Sequence, residues 1–75
     1  MLFKLANSMN YSAKNLIRIL EQRGFDFKRA NGSHKLYHNA TIGKTVIVPT
    51  HGNKDLSKGT FHAILKQAGI DKTEL

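Results

Sequence analysis

Phe25-Asp26-Phe27-Lys28-Arg29, then Asn31-Gly32, then Ser33-His34-Lys35-Leu36-Tyr37-His38 is the run that decides the fold. Its first five residues alternate as a half-buried strand should. Asn31-Gly32 is a strong short-range hairpin signal, because both central positions of the tight turn that suits strand twist need positive φ. Ser33 to His38 reads as the returning strand. Beyond it, Asn39 to Lys44 with Gly43 makes a second turn, and Thr45-Val46-Ile47-Val48 is a β-branched third strand stopped by Pro49. The three segments predict an antiparallel meander.

A helix is expected on either side of it. Upstream, Ser12 can cap a helix whose apolar positions Ala13, Leu16, Ile17 and Leu20 recur at i, i+3, i+4 and i+7, and Gly24 ends it. Downstream, a polar loop from Thr50 to Leu56 leads into a second amphipathic helix from about Ser57. That helix buries Phe61, Ile64, Leu65 and Ala68, and Gly69-Ile70 reads as its Schellman stop. The fold class is therefore α+β, in the order α-β-β-β-α. Neither helix can hide its apolar stripe alone, so both should pack on one face of a three-stranded antiparallel sheet, leaving the other face open.

A chain of 75 residues holds one domain with a thin core, so a shallow site on an exposed face is expected rather than a deep cavity. Residues 1–8 read as an N-terminal extension and 9–75 as the domain. Nothing in the chain approaches a signal-peptide apolar region or a membrane span, which points to a soluble, cytoplasmic protein with no membrane partner. Without cysteine there is no disulfide, no thiolate zinc site and no cysteine nucleophile.

Twelve Lys and Arg stand against five Asp and Glu, a formal charge of +7. Such an excess attracts polyanions, and each phosphate contact releases condensed counterions. Nucleic acid is the leading partner class, and an acidic protein the second.

The chemistry centres on His34. It lies just past the hairpin turn, after Gly32 and Ser33, in a run with Lys28, Arg29, Lys35 and His38. An ordinary imidazole titrates near pH ~6.5, so histidine can take a proton from one oxygen and return it to another. RNA carries its own nucleophile, the 2′-hydroxyl beside each phosphate. A base, an acid and cations to hold the developing charge are then sufficient, and no metal or other cofactor is called for. The plainer alternative is an exposed or structural strand histidine.

Metal binding by the histidines is disfavoured. On a strand, His34 and His38 would sit roughly 13 Å apart at about 3.3 Å per residue, too far to share an ion. His51 and His62 are remote in sequence from both. Ser33 and His34 are adjacent, so on a strand their side chains diverge and cannot form a nucleophile–base pair. Tyr37 can stack on a base or belong to the core. Lys54 and Lys58 can grip phosphate near a helix start or simply be solvated.

Asn31-Gly32-Ser33-His34-Lys35-Leu36-Tyr37 resembles the Gly-Ser-His-x-x-Tyr signature of HicA (YcfA-like) toxins. Val48-Pro49-Thr50-His51-Gly52-Asn53-Lys54-Asp55-Leu56 is similar to that family's second motif, and the run from Ser57 to Ile70 is similar to its second helix. The first helix, Asn15 to Leu20 with Gly24-Phe25, matches as well, so the likeness covers roughly residues 9–72. Ser57 stands where the family commonly has Pro, which still suits a helix start. The resemblance implies a fold like a double-stranded-RNA-binding domain and an mRNA interferase held in check by a HicB antitoxin. It places the catalytic histidine at His34, with Gly32 presenting it and Tyr37 packing or positioning. Lys28, Arg29, Lys35, Lys54 and Lys58 remain candidate RNA contacts, and a non-catalytic RNA-binding domain is the alternative.

Overall fold

The computed structural model describes residues 10–52 and 54–75, so the expectation for residues 1–8 lies outside the described residues. Its order is α1 (Ala13–Gln22), β1 (Asp26–Asn31), β2 (His34–Asn39), β3 (Lys44–Pro49) and α2 (Lys58–Gln67), closed by a 3₁₀ turn at Lys72–Glu74. Both helices start as the sequence predicts. The Ser12 Oγ accepts the Asn15 N–H at 3.0 Å, and the Ser57 Oγ accepts the Thr60 N–H at 3.1 Å. Each satisfies an N–H that the first helical turn leaves without a partner.

Both helices also stop in the same way. Gly24 and Gly69 take φ of +94° and +77°. The Phe25 N–H then reaches the Leu20 carbonyl at 3.0 Å, and the Ile70 N–H reaches the Leu65 carbonyl at 2.9 Å. These are the six-to-one bonds of Schellman caps.

The strands form one antiparallel sheet in the order β1-β2-β3. Tyr37 pairs with Val46 and Lys35 with Val48, so these residues share a face. Tyr37, Val46 and Val48 on that face pack with Leu16 and Leu20 of α1 and Phe61 and Leu65 of α2. Both helices therefore cover one side. His34, Leu36 and His38 of β2, with Thr45 and Ile47 of β3, point to the other.

Two details differ from the sequence-based expectation. The first is the hairpin. Asn31 pairs with His34, so the two turn residues are Gly32 and Ser33, one position later than an Asn-Gly turn would place them. Gly32 alone takes the positive φ, +61°, and no described non-glycine residue does so. A glycine with positive φ in the first turn position is the pattern of a type II′ turn, which suits strand twist as well as type I′ does.

The second is β1. Every residue of it is exposed, where a half-buried strand is expected from the alternation. The helices lie against β3, two strands away, so β1 is an uncovered edge. Phe25 is buried, but it belongs to the cap of α1, and Phe27 keeps half of its surface in solvent. The register with β2 also slips: Phe27 pairs with Tyr37 and Arg29 with Leu36, leaving Lys28 as the extra residue of a bulge. No helix among the described residues is long and apolar enough to cross a membrane.

Candidate active site

His34 opens β2 immediately after the turn and is exposed on the helix-free face. Asn31 is its neighbour on one side and Pro49 on the other. The bulge at Lys28 settles which cation joins it. With unbroken alternation, Arg29 would share the face of Phe27. The extra residue turns Arg29 over to pair with Leu36 instead. Arg29, Asn31, His34, Leu36 and Ile47 then line one shallow depression on the open face.

The loop after β3 brings a second imidazole to the same place. Thr50 follows Pro49 and is clamped to the hairpin turn. Its N–H and its Oγ1 both donate to the Ser33 carbonyl, at 2.6 and 2.8 Å. His51 comes next, and its backbone carbonyl is held in turn by the Lys54 N–H at 3.2 Å. The rings of His34 and His51 meet edge to face, with centroids 6.0 Å apart and planes at 86°. Both residues are exposed.

The remaining candidates are distributed as follows. Lys35 faces the helix side and lines a cleft with Lys14, Arg18 and Glu21 of α1, so the sheet separates it from His34. Tyr37 is 4% exposed and stands edge-on to Phe27, which leaves no ring face for a base to stack on. Burial, and secondarily the Glu21 carboxylate, pushes its hydroxyl above the ordinary 10.0. Lys28 is exposed at the bulge, Lys54 in the loop, and Lys58 at the first position of α2. His38 shares the open face with His34, but its Nδ1 is engaged with the Thr45 Oγ1 at 2.8 Å. Among the described residues no three His, Asp or Glu side chains converge to hold a metal ion.

His51 is remote from His34 in sequence, and the meander is what makes it near. Once Asn39 and Lys44 flank the second turn, antiparallel register puts Pro49 opposite His34 and carries the chain past the hairpin turn at Thr50. The positions of the two turns held that information, but only when combined.

An α-β-β-β-α domain of this size, with an exposed histidine on the bare face of a sheet and a strong excess of cations, has the equipment of a small nucleic-acid-directed protein rather than of a cavity enzyme. The family model described as the HicA toxin of bacterial toxin–antitoxin matches residues 13–70, a stretch that includes both imidazoles. A probable mRNA interferase HicA from Pseudomonas fluorescens (strain Pf0-1) is 34% identical over 53 residues, covering 71% of this chain and 85% of that protein. This chain belongs to the HicA toxin family.

Proposed function

We propose that this protein is the toxin of a toxin–antitoxin pair and acts in the cytoplasm as an endoribonuclease on mRNA. In this reading His34 moves a proton at the reacting phosphodiester, and no metal ion is required. A HicB-type antitoxin is the expected inhibitor, either covering the histidine or blocking the basic face. The observation that carries the reading is the placement of His34. It is exposed on the open face, its ring forms no hydrogen bond with any described protein group, and it lines a depression together with Arg29. A guanidinium offers paired donors to phosphate oxygens and holds charge that grows there during reaction. The 2′-hydroxyl of RNA supplies the nucleophile, which is why a proton-transfer group and cations are enough. Positioned proton transfer contributes about 10²- to 10⁴-fold to such a step.

The test is to express the wild type and His34→Ala side by side, follow growth, and map RNA ends. The wild type should arrest growth and leave 2′,3′-cyclic phosphate ends, and the purified protein should form them in chelator. Cleavage and arrest that survive His34→Ala would show the reading to be wrong. RNA that is retained but never cut by the wild type would leave a binding domain in its place.

A further inference from the structure

We infer that His51 is the second proton-transfer group of this site, working with His34 as an acid–base pair across one phosphodiester. The inference rests on the ribonuclease reading of His34 and extends it.

Three observations support the pairing. The first is the construction that holds His51. Thr50 uses both its N–H and its hydroxyl on the Ser33 carbonyl, at 2.6 and 2.8 Å, in the very turn that presents His34. Two bonds from one residue to one carbonyl fix the following residue beside that turn. The second is the spacing. Ring centroids 6.0 Å apart, edge to face, bring both imidazoles within hydrogen-bond reach, about 3 Å from each ring, of one phosphodiester seated over the pair. The third is that neither ring forms a hydrogen bond with another described protein group, whereas His38 on the same face is tied to Thr45. Free imidazole nitrogens in an exposed pair are available to a substrate.

The step balances with these two groups alone. One imidazole, neutral, takes the proton of the 2′-hydroxyl as the 2′-oxygen forms its bond to phosphorus. The bond from phosphorus to the 5′-oxygen breaks, and its electron pair leaves with that oxygen. The other imidazole, protonated, delivers its proton there. The products are a 2′,3′-cyclic phosphate and a 5′-hydroxyl, and exchange with water resets both rings.

A substrate that needs no acid tests the pair directly. The probe is an RNA oligonucleotide with sulfur in place of the bridging 5′-oxygen at a mapped cleavage position, beside its all-oxygen counterpart. On oxygen, His34→Ala and His51→Ala should each lose about 10²- to 10⁴-fold. On sulfur, whose thiolate leaves unprotonated, one of the two variants should return to within about tenfold of the wild type while the other stays slow. The recovered variant is the one that lacks the acid. Equal unfolding midpoints for wild type and His51→Ala, with His51→Gln as a second variant, separate chemistry from folding. Wild-type rates for both His51 variants on oxygen, with His34→Ala inactive, overturn the pair and leave the His34 reading standing. Failure of sulfur to restore either variant also overturns the pair. Wild-type cleavage by His34→Ala overturns both readings.

Discussion

The Ser33 carbonyl receives two hydrogen bonds from Thr50, so the turn before β2 and the loop after β3 are fastened at one atom. Thr50→Val keeps the shape and the backbone bond but removes the hydroxyl. Loss of that bond should lower stability by about 1 kcal/mol in urea unfolding. Cleavage should fall further than stability explains, by about 10- to 100-fold, because a displaced His51 no longer meets the phosphodiester. Thr50→Ser, which retains the donor, should restore most of both. Equal cleavage by the Val and Ser variants would mean the fastening does not position the site.

Gly32 tests the turn itself. Its φ is +61°, and a Cβ built there meets nothing within 4 Å, so any penalty for Gly32→Ala comes from backbone conformation alone. A side chain in that sparsely populated conformation costs about 1–3 kcal/mol. Chemical denaturation should show a loss of that size, with cleavage reduced as well, because His34 begins two residues later. A stability change within error would show that the turn can reshape without glycine.

The helices, the meander and the open face were legible because each is written in local residues. Ser12 with Gly24, and Ser57 with Gly69, mark the helix ends by backbone chemistry that requires no knowledge of the rest of the chain. His34 stood out as a candidate from its position after the turn. Pairing determined the rest. The Gly32-Ser33 phase of the hairpin and the bulge at Lys28 depend on which residues of β2 face β1, and no single strand encodes that. Lys35 and Arg29 look equivalent in sequence, yet alternation and the bulge send them to opposite faces. His51 lay furthest from view, since its place beside His34 needs two turns, three strands and the Thr50 clamp together.

Tyr37 links the core to alkaline pH. Burial first, and Glu21 second, raise its hydroxyl above 10.0, so the folded state favours the neutral phenol. The unfolded chain ionises first as pH rises. The stabilisation tied to this group is thus fully present below the unfolded value and is lost as pH climbs through the folded one. Urea unfolding of the wild type should show stability falling above about pH 10, and Tyr37→Phe should flatten part of that fall while changing little near neutrality. Identical alkaline slopes for the two proteins would contradict the linkage.

Arg29 and Lys35 carry the same charge and flank the same hairpin, which makes them a direct test of which sheet face meets RNA. Arg29 lines the depression with His34, while Lys35 lies among α1 residues on the far side. In the His34→Ala background, chosen because cleavage is expected to be lost there, Arg29→Ala should weaken RNA binding and reduce the logarithmic salt slope by about 1, as expected for one lost phosphate contact. Lys35→Ala should change both quantities less. If RNA instead engages the helix side, the order reverses. The open face would then not be the nucleic-acid surface, and the geometry around His34 would have to serve another partner.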